Sequence, residues 1–253
     1  MKRWQLQGLL LIVMSIILLP GIGIGQAGKE KKKGDAGPPP VVPPLKGTSE
    51  TIKLFNGKDL EGWDGYKDLW AVKDGAIVGQ HKDPLKFSTY LFTKRSFTDF
   101  RLIFSAKIDL DKMHSGVALW GKKFVPMGVK DAGAEKAEHT YQGHLVMFPS
   151  GWGLFDLYRR NGLALPKGMR EAEMSAAKKD WNDWNDMEIL AQGNRIRLAV
   201  NGKAVLDWRD PDPTKVGEGP IALQLHSNKA PQEVYFKGLE LTTFPEDKLV
   251  TVK

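Results

Sequence analysis

The chain has no cysteine among its 253 residues. That excludes disulfides, thiolate metal ligands and a cysteine nucleophile, and also the lipid anchoring of a bacterial lipoprotein, which needs a cysteine just after its leader. A hydrophobic core must then hold the protein together, which suits a bacterial periplasm better than a small disulfide-stapled secreted scaffold. A long hydrophobic run is missing too. The uncharged stretch from Gly8 to Leu19 is well short of the roughly 20 residues a membrane span needs. It follows Lys2 and Arg3 and precedes Pro20 and small residues ending in "GQA", the pattern of a secretory leader. We expect a signal peptide over residues 1–27 and a periplasmic or secreted protein. An uncleaved membrane anchor is the competing reading.

Positive charge is scarce where it would matter for nucleic acid. The formal charge is +7, of which Lys2 and Arg3 supply two and the lysine-rich residues 28–47 a net three, leaving +2 for residues 48–253. A folded part so nearly neutral argues against nucleic-acid binding. Residues 28–47, "GKEKKKGDAGPPPVVPPLKG", read as a Lys/Pro-rich linker, extended where prolines dominate. Membrane contact is expected only through the leader or this basic linker.

Helical periodicity is nearly absent as well. The one candidate helix lies in "PKGMREAEMSAAKKDW", residues 166–181, which reads equally as a long loop. What is abundant is β pattern. In "FRLIFSAKIDL", Phe100, Leu102, Phe104, Ala106, Ile108 and Leu110 alternate with Arg101, Ser105, Lys107 and Asp109, which marks a long strand with one face buried. Asp74-Gly75 and Asn201-Gly202 each stand between two strand patterns, strong hairpin signals. "SGVALW", "YQGHLVMF", "WGLFDLYRR", "GPIALQLHS" and "VYFKGLELTTF" add further strands. Strands every ten residues or so, without long helices between them, predict an all-β, two-sheet sandwich or jelly roll over residues 48–253, with at most one short helix.

Strand parity then proposes a site. In residues 141–148, Gln142, His144, Val146 and Phe148 share one side; in residues 221–227, Ala222, Gln224 and His226 share one side. In "SGVALW", Trp120 falls with Gly116 and Ala118. If these sides coincide, they form one site in which the Trp120 indole could stack on a ligand ring, Gln142 and Gln224 could hydrogen-bond its polar groups, and neutral His144 or His226 could act as base near pH 7. Asp156 and Tyr158 would join if their side of the strand matches, with Arg160 at the rim. Trp152, beside glycines, is a second candidate stacking platform. The competing reading makes both histidines satisfied polar residues on a hydrated sheet. His139 and His144 point to opposite faces of a continuous strand and cannot share an ion, whereas His144 with His226 keeps a divalent metal open. No cofactor is otherwise indicated. Trp63, Trp70 and Trp184 are expected to pack between the sheets.

The ordered series "IKLFNGKDLEGW" (52–63), "WAVKDGAIVG" (70–79), "YLFTKRSFTDFRL" (90–102), "HSGVALW" (114–120), "WNDMEILAQGNRIRLAVNGKAV" (184–205) and "GPIALQLHS" (219–227) resembles the 3-keto-disaccharide hydrolase domain family, long described as a domain of unknown function. The resemblance implies a concanavalin-like jelly roll of two curved antiparallel sheets with a sugar site on its concave face. It also implies an exported enzyme in which a ketone at sugar carbon 3 acidifies the proton on carbon 2. A base takes that proton, the substituent leaves carbon 1, and water can then add. Such chemistry needs one base and a way to stabilise the enolate, by hydrogen-bond donors or a metal ion, rather than the two carboxyl groups of ordinary glycosidases. Where the family commonly reads Tyr-Glu-x-Gln-Ile-x-Asp, this chain has Tyr141, Gln142, Gly143, His144, Leu145, Val146 and Met147, so both acids are replaced. Trp120 stands where an arginine is frequent. The resemblance favours cleavage of 3-keto-glycosides; the lost acids favour a noncatalytic carbohydrate-binding module using the same face. A structural domain of an extracytoplasmic complex is a third reading. In the first two the partner is an oligosaccharide or glycoside.

Overall fold

The computed structural model describes residues 38–109, 114–126, 137–148, 153–166, 180 and 182–253. The leader, Leu110, Trp152 and most of the candidate helix at 166–181 lie outside the described residues. The strands are β1 (Thr51–Lys53), β2 (Trp63–Asp64), β3 (Trp70–Lys73), β4 (Ala76–His81), β5 (Thr89–Phe97), β6 (Phe100–Ile108) and β7 (Ser115–Phe124). They continue with β8 (Thr140–Phe148), β9 (Leu154–Asp156), β10 (Asn185–Gln192), β11 (Arg195–Val200), β12 (Lys203–Arg209), β13 (Gly219–Leu225) and β14 (Gln232–Thr243). One turn of 3₁₀ helix, Pro213–Lys215, is the only helical element among the described residues.

These strands form two antiparallel sheets, as the strand pattern predicts. One has eight strands in the order β12-β11-β10-β6-β14-β4-β3, with β1 also paired to β14; the other has six, β2-β5-β13-β7-β8-β9. The hairpins close where expected: Asp74 and Gly75 have φ of 50° and 72°, Asn201 and Gly202 48° and 81°. Positive φ at both central positions is the primed turn that matches the strand twist.

Three buried clusters define the faces. The largest lies between the sheets and draws Phe100, Leu102, Phe104, Ala106 and Ile108 from β6, and Val117, Leu119, Val146, Phe148, Ile221, Leu223 and Leu225 from the six-stranded sheet. The alternation in β6 is therefore the alternation of core and surface. Trp63 and Trp70 belong to this core. Trp184 does not. It packs on the opposite side of the eight-stranded sheet with Ala76, Val78 and Tyr235, where Lys237 sits 3.9 Å above its ring. The third cluster, Tyr90, Phe92, Ala118, Tyr141, Leu145, Met147 and Ala222, comes from the six-stranded sheet alone and lies on its outer face. Residues at the end of the Pro-rich stretch touch the β10–β11 hairpin: Asn194 Nδ2 donates to Pro40 O, and Val42 N donates to Asn194 Oδ1.

Candidate functional site

The outer face of the six-stranded sheet carries a cavity of about 620 Å³ whose lining includes Tyr90, His114, Tyr141, Met147, Gln224 and His226. The register of β13 against β7 builds it. Ala222 pairs with Ala118 and Leu223 with Val117, and continuing that antiparallel register sets Gln224 opposite Gly116 and His226 opposite His114. The two imidazoles meet edge to face with centroids 4.2 Å apart. His114 was not singled out in the sequence. Its signal is the "HS" that opens "HSGVALW", matching the "HS" that closes "IALQLHS" on the neighbouring strand.

Burial, with His226 alongside, pushes the His114 imidazole down to about 4. Burial likewise lowers His226, against a hydrogen bond that the imidazole gives to the Ser227 backbone, which works the other way. Both rings are thus held neutral near pH 7, as a proton acceptor must be. Gln224 Nε2 donates to the Tyr90 hydroxyl oxygen at 3.0 Å, which leaves the phenolic hydrogen free to be offered elsewhere. Burial raises the Tyr90 hydroxyl well above its ordinary range, so it stays a donor. Gln224 Oε1 and His226 Nδ1 are buried atoms with no partner among the described residues. No Asp or Glu side chain lines the cavity among the described residues. Met147, where the related motif carries an acid, is part of that lining.

The other face of the same sheet corrects the parity argument. His144 pairs across β7 with Leu119 and across β9 with Asp156, and its neighbours at period two, Val146 and Phe148, are in the core between the sheets. His144 and Gln142 therefore lie on the face opposite Gln224 and His226, and the two Gln-x-His pairs do not form one site. Both sides of β8 are apolar, Tyr141, Leu145 and Met147 on one and Val146 and Phe148 on the other, so hydrophobicity could not tell them apart. His144 with His226 fails as a metal pair for the same reason. Among the described residues no three His, Asp or Glu side chains stand where one ion could be held.

His144 is instead the centre of a closed ionic network. Its Nε2 donates to Asp210 Oδ2 at 2.5 Å, and Arg160 grips the same carboxylate with Nη1 and Nη2, each at 2.8 Å. Arg160 also binds Asp156, 3.1 Å from Nη2 to Oδ1. Asp210 sits just past β12 in the other sheet, so the network ties the two sheets together. Burial raises the Asp210 carboxyl, but hydrogen bonds from His144 and Arg160 outweigh it and leave the group lowered to about 2. The rings of Trp120, Tyr158 and Trp208 enclose His144 at 5.6–5.8 Å.

Trp120 is likewise displaced from its expected position. A bulge between Leu119 and Lys122, with Trp120 at φ 51°, turns the indole inward, where Nε1 donates to Thr98 O at 2.7 Å. A bulge resets side-chain alternation, so Trp120 is 2% exposed core and not a sugar platform. Tyr158 follows it inward, its hydroxyl donating to Trp120 O at 2.8 Å. Of the predicted site residues, the cavity holds Gln224 and His226. Trp120, His144, Asp156 and Tyr158 belong to the closed network and its aromatic wall, and Gln142 to the same side of the sheet.

The consecutive residues Arg159 and Arg160 serve opposite faces. Arg160 enters the ionic network, while Arg159 lines the cavity with its guanidinium 4.8 Å above the Phe155 ring. Arg159 has φ 58°, a left-handed conformation that costs a side-chain-bearing residue roughly 1–2 kcal/mol.

The sequence model of the 3-keto-alpha-glucoside-1,2-lyase-like domain matches residues 50–242. The chain belongs to this family. Membership in the lyase-like domain family ties the protein to carbohydrates. Two solved structures from Parabacteroides distasonis ATCC 8503, both described as candidate glycosyl hydrolases, are similar to it. One is 17% identical over 77% of this chain and 100% of its own, with a TM-score of 0.51. The other is 19% identical over 88% of this chain and 100% of its own, with a TM-score of 0.50. The carbohydrate-binding module CBM66 from Bacillus subtilis is 14% identical over 71% of this chain and 94% of its own, with a TM-score of 0.43. At these identities the P. distasonis structures bear on fold alone, and they agree with the sandwich described above. No curated protein sequence matches the chain.

Proposed function

We propose that this is an exported carbohydrate-active enzyme that cleaves 3-keto-glycosides by elimination in the cavity on the outer face of the six-stranded sheet, with His226 as base. The observation that carries this reading is a pair of neutral imidazoles in a cavity whose described lining contains no carboxylate. Ordinary glycoside hydrolysis generally places two carboxyl groups about the bond, whereas elimination needs a single base. The family's own description, a 1,2-lyase, names the same two carbons.

In this scheme His226 accepts the carbon-2 proton, the electron pair forms the enolate of the 3-ketone, and the carbon-1 to oxygen bond then breaks as the enolate collapses. The pair from the carbon–hydrogen bond becomes the carbon-1 to carbon-2 double bond, and the aglycone oxygen leaves with the pair of the broken carbon-1 to oxygen bond and is protonated by solvent. The Tyr90 hydroxyl, its oxygen already occupied by Gln224 Nε2, can donate to the enolate oxygen as charge develops. His114 stays uncharged beside the newly protonated His226, because a second positive charge at 4.2 Å between ring centroids is disfavoured.

The test is aglycone release from 3-keto-glucosides, followed alongside exchange of the carbon-2 proton in deuterated water. Release should fall about 10²–10⁴-fold in His226→Gln, and proton exchange should fall with it. Full release in that variant would remove His226 from the mechanism. Tight sugar binding with neither release nor exchange in the native protein would establish the noncatalytic binding module instead.

A further inference from the structure

The cavity has a charge bias that the elimination chemistry does not require. Its described lining includes two cationic side chains, Lys86 and Arg159, and no acid. Neither cation is engaged in an ion pair with a described carboxylate; each lies over an aromatic ring instead, Lys86 at 5.6 Å from Phe87 and Arg159 at 4.8 Å from Phe155. This contrasts with Arg160, one residue on, which is locked between Asp156 and Asp210. An adjoining hollow extends the positive rim, since it is lined by Lys86 together with Lys229.

Three observations point to one kind of ligand. The backbone at Arg159 holds a left-handed conformation that L side chains rarely keep unless something maintains it, and its effect is to deliver a guanidinium to the cavity instead of to the network beneath. The wall next to these cations is apolar, with Phe124, Phe155 and Leu157 in the lining, a surface that suits a flat ring better than a second sugar. Met147 replaces, on this same face, the acid of the related motif, so nothing there repels an anion. A guanidinium whose donors have no carboxylate partner among the described residues is the group best matched to a ligand carboxylate.

We propose that the glycoside taken by this cavity carries an aromatic carboxylic acid as its aglycone, the carboxylate bound by Arg159 and Lys86 and the ring by the adjacent phenylalanines. The proposal rests on reading the cavity as the sugar site, with the glycosyl end at Gln224 and His226.

Binding by the intact protein separates the two ideas without any turnover. Calorimetry would compare 4-carboxyphenyl glucosides with the isosteric 4-carbamoylphenyl glucosides, both anomers of each. The carboxylate should bind about tenfold or more tightly at low salt, and the advantage should shrink at high salt as charge is screened. It should vanish in the double variant Arg159→Asn with Lys86→Gln, while the carbamoyl ligand binds as before. Asparagine tolerates the left-handed backbone, so an unchanged melting temperature is expected and would show that the loss is local. Equal binding of the two ligands would overturn the aromatic-acid proposal and leave the sugar site standing. Failure of both to bind would overturn the two together.

Discussion

The two faces of the six-stranded sheet use similar residues to opposite ends. On the inner side a histidine, two aspartates and an arginine are joined by ion pairs and hydrogen bonds and walled in by Trp120, Tyr158 and Trp208, with His144 Nδ1 left without a partner among the described residues. On the outer side two histidines, a glutamine and a tyrosine line an open cavity, and Gln224 Oε1 and His226 Nδ1 have no partner among the described residues. The difference teaches that a histidine's type and spacing do not decide its role. The supply of charged partners does: His144 has a carboxylate from the other sheet at 2.5 Å, whereas His226 meets the uncharged His114 ring and the Ser227 backbone.

The contrast is most sharply broken by exchanging the consequences of loss. Replacing His226 with glutamine should abolish most turnover, as set out above, yet change stability by no more than about 0.5 kcal/mol, because no ion pair depends on it. Asp210→Ala should behave in reverse. It strands the Arg160 guanidinium and the His144 imidazole without their shared carboxylate, and breaking a buried pair by removing one partner costs about 3–5 kcal/mol. Denaturant unfolding of both variants, with activity measured on each under conditions where it is folded, checks the pair. A stable, inactive Asp210→Ala protein would contradict the division into a structural face and a working face.

How far this division was legible in the sequence can be traced residue by residue. The alternation in β6 and the Asp74-Gly75 and Asn201-Gly202 turns identify a β sandwich because they depend on local sterics and a single buried face. Gln224 and His226 were legible for a related reason: Ile221, Leu223 and Leu225 mark the core side of β13 without ambiguity. β8 defeats the same method, since the inner core and the outer cluster both demand apolar side chains there. Trp120 defeats it differently, through a bulge that no local residue pattern announces. Asp210 stands 66 positions from His144, and only the closing of one sheet over the other brings them together. His114 needed the inter-strand register, which parity along one strand does not contain.

Acid should separate the faces a second time. His114 is pushed down to about 4 in the folded protein from an ordinary value of 6.5, so between those pH values the unfolded chain holds a proton that the folded one does not. Stability therefore declines as pH falls through that window, by up to about 1.4 kcal/mol per pH unit for one proton. Asp210 acts lower. Its carboxyl is lowered to about 2 from 3.8; its contribution is complete above 3.8 and is lost as pH falls toward 2, on the order of 2 kcal/mol in all. Unfolding midpoints measured against pH should show the upper decline weakened in His114→Gln and the lower one weakened in Asp210→Asn. If His114→Gln left the decline between pH 6.5 and 4 unchanged, the cavity histidines would not be held neutral by their surroundings.

The smallest expected effect lies on a third face. Trp184 was expected between the sheets, where truncating a tryptophan costs about 3–5 kcal/mol. It lies instead half-buried on the outside of the eight-stranded sheet, edge to face with Tyr235 and under the ammonium groups of Lys237 and Lys107. Cation–π contacts at exposed sites contribute about 0.5–1 kcal/mol, and little core volume is lost with the ring. Trp184→Ala should therefore lower stability by only about 1 kcal/mol and leave both turnover and ligand binding unchanged. A loss several times larger in a denaturant titration would mean that this face carries part of the core, and that the sandwich has two load-sharing layers of aromatic packing where the geometry shows one.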